Sequence, residues 1–193
     1  MQNTQCPVPI LQDMKEFNVF LNLIENMPIS NVMEIGSFYG GTLWYWLQRL
    51  SNLKKLVSLD WPIPPSDGRF AEMKSARAKW AGWLEEYRLY NDLEFHSVIG
   101  ISQQSQTVEG LHKLVKPGEL DMLFIDGGHH YEEVRADYQN YKDLVRPETG
   151  IIVFHDVCGI EEVRRFWNEL KGDHMYMELN NPPGWGIGII FHK

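Results

Sequence analysis

The sequence predicts an α/β fold: a doubly wound, mostly parallel seven-stranded sheet with helices on both faces and a C-terminal antiparallel hairpin. Three observations carry this expectation. Short apolar runs alternate with segments of helical periodicity along most of the chain. Each of the first five runs stops at a glycine or a polar residue, and the last two are separated by a turn alone. Strands separated by helices need right-handed crossovers and run parallel, whereas strands joined by a turn run antiparallel.

The elements follow in order. Over residues 13–27, Phe17, Phe20, Leu21, Ile24 and Met27 recur at three- and four-residue spacing, with Asp13 and Glu16 placed like a capping box. Residues 31–35 form a short apolar run ending at Gly36. Gly40 and Gly41 follow, and then a helix carrying Leu43, Trp44, Leu47 and Leu50. Residues 55–59 give a second strand ending at Asp60. The proline-rich stretch 61–68 is a loop, and residues 69–89 place Phe70, Met73, Trp80, Leu84 and Tyr87 on one helical stripe. A third strand spans 93–99, a helix 105–115, a fourth strand 120–125, and a helix carries Tyr131, Val134, Tyr138, Tyr141 and Val145 up to Pro147. The fifth strand, 150–154, leads into His155 and Asp156. A helix with Ile160, Val163, Trp167 and Leu170 follows, then two strands, 175–179 and 187–192, joined by a turn.

A length of 193 residues with 44% hydrophobic and 23% charged residues predicts one globular domain, with residues 1–29 as an N-terminal helical segment and 61–91 as a loop-helix insertion shaping the substrate side. Acidic residues outnumber basic ones, 26 to 18, which argues against a nucleic-acid partner. Cys6 and Cys158 share no metal or disulfide spacing. No run approaches the roughly 20 apolar residues that span a bilayer, and the first residues lack the pattern of a secretory leader. A cytoplasmic protein with no membrane partner is the expectation.

In an open parallel sheet ligands bind outside the carboxyl ends of the strands. Here those ends carry Glu34 to Thr42, Asp60, Gly100 to Ser102, Asp126 to His130, and His155 with Asp156. The glycines at 36, 40 and 41 suit close approach of a ligand to the backbone, yet they are not the dinucleotide pattern G-x-G-x-x-G. Asp60 lies about 20 residues past that turn, where an acid accepts the hydroxyls of a ribose. Trp61 is placed to flank an adenosine, while the other tryptophans, Trp185 among them, read mostly as core.

E-x-G-x-x-x-G-G-T, a strand-end Asp60, five alternating strands and a closing hairpin together resemble a class I S-adenosylmethionine-dependent methyltransferase, with its Rossmann-like sheet. More narrowly, Phe124-Ile-Asp126-Gly-Gly-His129-His-Tyr131 followed by Val153-Phe-His155-Asp156-Val157 is similar to the macrolide sugar O-methyltransferases. The resemblance implies S-adenosylmethionine as cofactor, held by Glu34, Gly36, Ser37, Gly40, Asp60, Trp61, Ser102, Gln103 and Asp126. It implies O-methylation of a small-molecule hydroxyl, on a sugar or natural-product intermediate, with Asp126 and His129 as catalytic residues and His129 as the base. It also implies a magnesium or other divalent ion on Asp126 and Asp156. His155 stands where those enzymes carry another acid, so its role as a metal ligand, and the metal itself, stay open at this point.

A methyl transfer to a hydroxyl needs an aligned nucleophile and a group to take its proton, which these residue types supply. Two rivals stand beside this expectation, a non-catalytic cofactor-binding domain and a nicotinamide-dependent oxidoreductase. A homo-oligomer is also open, because a single domain of this length must recognise its acceptor with its own loops or with a second subunit.

Overall fold

A computed structural model describes residues 5–88 and 92–192. In chain order the elements are α1 (Met14–Ile24), β1 (Asn31–Ile35), α2 (Gly41–Arg49), β2 (Lys55–Asp60), α3 (Phe70–Ala78), α4 (Trp80–Arg88), β3 (Glu94–Ile99), α5 (Ser105–Leu114), β4 (Met122–Ile125), α6 (Tyr131–Tyr141), β5 (Ile151–His155), α7 (Glu161–Lys171), β6 (Met175–Leu179) and β7 (Ile187–Phe191). They build one seven-stranded sheet of order β3-β2-β1-β4-β5-β7-β6. β1 to β5 pair in parallel, and β7 runs antiparallel to both β5 and β6. Strand order reverses between β1 and β4, so the connections leaving these paired strands run to opposite sides and a crevice opens outside their carboxyl ends.

The apolar runs become buried strands because both faces of the sheet are covered. Met122 and Phe124 of β4 point into a core with Phe17, Phe20 and Trp46. Leu123 and Ile125, one residue out of phase, point into the opposite core with Met33, Phe154 and Trp167. Phe124 sits 5.4 Å from the Trp46 ring and 6.1 Å from Phe20; burying such a side chain contributes about 2–3 kcal/mol. No helix among the described residues is long and apolar enough to cross a membrane.

Several expectations are corrected in detail. The stripe over 69–89 is two helices, not one, and residues 89–91 lie outside the described residues, as do 1–4 at the start of the N-terminal segment. Lys79 breaks the run by turning its N–H back to Ala76, while Trp80 is held by its indole N–H on the Tyr39 carbonyl at 3.0 Å. The helix carrying Tyr131 ends at Tyr141 and tightens into a 3-10 turn over Lys142–Leu144. β4 begins at Met122, and β5 includes His155.

The capping box is half formed. Asp13 accepts the N–H groups of Lys15 and Glu16, but the Glu16 carboxylate is buried and turned elsewhere. It accepts the N–H of Asn181 at 2.7 Å and that of Gly186 at 2.8 Å, fastening α1 to the hairpin turn.

Candidate functional site

A cavity of about 700 Å³ opens at the carboxyl ends of the strands, over the point where strand order reverses. Its floor is made by the residues that close β1, β2, β4 and β5, and its outer wall by residues 9–12. The strands end together because their register is parallel and nearly level: Ile35 pairs with Leu59 on one side and Ile125 on the other. Gly36 has φ 94, and a Cβ there would fall 1.9 Å from the Asp126 carbonyl oxygen. The glycine is therefore needed first to let two backbone strands touch, and only second to leave room for a ligand.

At one end of the cavity stands Asp60, 5% exposed. Its Oδ2 accepts the Phe38 N–H and a guanidinium N–H of Arg77, and its Oδ1 accepts the Trp61 N–H at 2.8 Å. Burial pushes this carboxyl up, and Arg77 and the two backbone N–H groups oppose that. Trp61 is exposed and lines the cavity, with Ser37 and Ser102 beside it on the floor. The insertion supplies Trp61 and Arg69 to this end of the cavity.

At the other end, four side chains form a chain of charge. His129 Nε2 lies 3.0 Å from Asp156 Oδ2, His155 Nδ1 lies 3.0 Å from Asp156 Oδ1 and 3.2 Å from Asp126 Oδ1, and Gln12 donates to Asp126 Oδ2 at 2.7 Å. Burial disfavours a charged His155, yet Asp126 and Asp156 outweigh it and push the imidazole up to about 10. Burial also raises Asp156, but His129 and His155 pull it down to about 2. His129 is half exposed, and its bond to Asp156 raises its pKa against the cost of burial. Asp156 takes φ 66, a left-handed conformation uncommon for a non-glycine residue, and it sits at the turn out of β5.

A divalent ion fits these residues in kind. Asp126, His129 and Asp156 each offer one ligand atom, all within 4.8 Å of one another. The buried Nδ1 of His155 has no hydrogen bond of good geometry, although two carboxylates flank it. Two carboxylates with imidazole nitrogen suit manganese, iron, cobalt or zinc better than magnesium, which asks for oxygen ligands.

The structure brings Gly36, Ser37, Asp60, Trp61, Ser102, Asp126, His129, His155 and Asp156 to the cavity wall. Three expected residues stand off it. Glu34 is fully buried behind the floor, its oxygens taken by the Thr42 hydroxyl and the Trp46 indole N–H. Gly40 has φ 86 and opens α2; a Cβ there would strike the Trp80 indole. Gln103 turns inward, donating to Asp137 at 2.7 Å. Conversely Gln12, Arg77 and Trp185 were not anticipated. Trp185 is 46% exposed and lines the cavity beside Ile160, against the expectation of a core residue. Its carbonyl accepts the N–H groups of Cys158 and Gly159, and no local pattern in the sequence signals that contact.

Comparisons with known proteins bear on the fold that builds this cavity. A family model described as a methyltransferase domain matches residues 33–157, from β1 to the turn after β5. The uncharacterized protein y4gI of Sinorhizobium fredii is 24% identical over 180 residues, which cover 88% of this chain and 18% of that protein. The chain thus spans less than a fifth of this curated relative. Among solved structures, a Staphylococcus aureus protein named as a caffeoyl-CoA O-methyltransferase superposes with a TM-score of 0.70 at 15% identity, covering 96% of this chain and 86% of that one. The O-methyltransferase TomG of Streptomyces achromogenes, solved with S-adenosylmethionine, superposes with a TM-score of 0.64 at 17% identity, covering 95% and 82%.

Proposed function

This chain belongs to the methyltransferase domain family, and from that premise we propose that it transfers a methyl group from S-adenosylmethionine to a hydroxyl of a small molecule, a sugar or natural-product intermediate. The observation that carries the reading is one continuous cavity with a ribose-competent acid, Asp60, at one end and the Asp126, His129 and Asp156 cluster at the other. The cofactor supplies an activated methyl on a sulfonium. The chain supplies alignment and proton transfer.

Asp60 keeps one lone pair of Oδ1 available to a ribose hydroxyl, and Trp61 and Ser102 flank the same end. At the far end His129 donates its Nε2 proton to Asp156, which leaves Nδ1 unprotonated to take the proton of an acceptor hydroxyl. Asp156 fixes that tautomer and stabilises the imidazolium once formed. Leu11, Ile160 and Trp185 give the acceptor an apolar wall. A divalent ion held by the carboxylates of Asp126 and Asp156 would supply acidification of the acceptor hydroxyl, with the His129 imidazole beside them.

The test joins binding to turnover. Calorimetry should show S-adenosylhomocysteine binding, and a panel of hydroxylated acceptors should take label from methyl-labelled cofactor. In His129→Ala, kcat should fall by about 10²-fold or more with cofactor affinity unchanged. Binding of a nicotinamide dinucleotide instead of S-adenosylhomocysteine would overturn the reading; an unchanged rate in His129→Ala would remove the base.

A further inference from the structure

Arg77 belongs to α3, in the insertion, yet it reaches the acid at the end of β2. Its Nη2 donates to Asp60 Oδ2, and its Nε donates to the Phe38 carbonyl at 3.1 Å. Phe38, held at φ 45 in the loop after β1, returns its own N–H to the same Asp60 oxygen. One guanidinium therefore joins three segments: α3, the loop after β1, and the end of β2. Its side chain is 18% exposed, and the Trp80 ring lies 5.4 Å away.

A carboxylate offers about four lone-pair sites. Oδ2 spends two, on Phe38 and Arg77, and Oδ1 spends one on Trp61. A single acceptor site on Oδ1 is left. We propose that Arg77 is a positioning residue for the cofactor: it turns Asp60 so that this one remaining site faces a ribose hydroxyl, and it ties α3 to that contact. The inference rests on the reading of Asp60 as the ribose acceptor.

Charge as well as geometry is involved. Among the described residues, Arg77 is the charged group in contact with Asp60. The loop after β1 and the residue after β2 contribute only backbone N–H groups, and Arg69, which also lines the cavity, is paired with Asp67 at 2.8 Å. Burial already pushes the Asp60 carboxyl up, with Arg77 the first influence opposing it. Without the guanidinium the acid holds its proton to higher pH, and a protonated carboxyl no longer accepts the hydroxyl in the same way. A lysine restores the charge without the planar fork that reaches Phe38 as well.

The experiment is calorimetric titration of S-adenosylhomocysteine, and of its analogue lacking both ribose hydroxyls, into wild type, Arg77→Gln and Arg77→Lys between pH 6 and 8.5. Arg77→Gln should weaken S-adenosylhomocysteine by about tenfold or more at pH 6.5 and by less at pH 8.5, while the analogue changes by less than about twofold. Arg77→Lys should reduce that pH dependence and recover part of the affinity. Equal weakening of both ligands would mean a merely structural arginine and overturn the proposal, as would wild-type affinity in Arg77→Gln. Failure of wild type to bind S-adenosylhomocysteine would instead strike the reading of the whole site.

Discussion

Glu34 has lost all contact with water, and burial pushes its carboxyl up to about 7 although Thr42 and Trp46 both donate to it. Asp137, behind the loop that carries Ser102, is raised to about 7 by burial in the same way. A carboxyl whose pKa is higher in the folded state binds its proton more tightly there. Its contribution to stability is complete below the unfolded value near 4 and is lost as pH rises through about 7. Urea denaturation should therefore show stability falling between about pH 4 and 7, by on the order of 3–4 kcal/mol for each acid. Glu34→Gln should remove its share of that slope; an unchanged slope would mean the acid is already ionised in the fold. Single residues were legible where chemistry and position coincide. Asp60, Asp126 and Asp156 could be singled out because a carboxylate closing an apolar strand is a local feature. Arg77 and Gln12 were not legible, because each meets its partner across 17 and 114 residues of chain.

Among the elements, α1 and the hairpin illustrate how a cap-like residue can be recruited for tertiary structure. Glu16 gives two oxygens to two backbone N–H groups of the 180–186 turn, one of them in a fully buried bond. Glu16→Ala would strand both donors and should cost about 3 kcal/mol in chemical denaturation, with Glu16→Gln intermediate. A loss below about 0.5 kcal/mol would mean that water replaces the carboxylate. The pair α3 and α4 shows why boundaries escape periodicity. Phe70, Met73, Trp80, Leu84 and Tyr87 satisfy one continuous helical stripe, so nothing in the spacing marks Lys79 as a break. The break comes from Trp80, whose indole is seated against Gly40 and the Tyr39 carbonyl.

At the scale of the molecule, sheet order was legible in kind because crossover handedness and hairpin pairing leave few topologies. Register was not, since apolar runs buried on both faces carry no alternation to fix it. The two cores share every central strand, Trp46 lying in one and Trp167 in the other. Neither layer can melt without exposing the sheet face of its neighbour. Urea transitions followed by fluorescence in Trp46→Phe and Trp167→Phe, each referenced to far-ultraviolet circular dichroism of the same variant, should be coincident between the two probes. Separated midpoints within either variant would show the layers unfolding apart.

The contact of Gly36 with the Asp126 carbonyl sets the spacing of the two strand tips by backbone alone. It acts as a fixed ruler between the two ends of the cavity. Leu11, Ile160 and Trp185 line the cavity from segments that precede α1, α7 and β7, outside the strands themselves. A substitution in this wall would change what the cavity accepts, while the spacing of the strand tips stays set by the backbone.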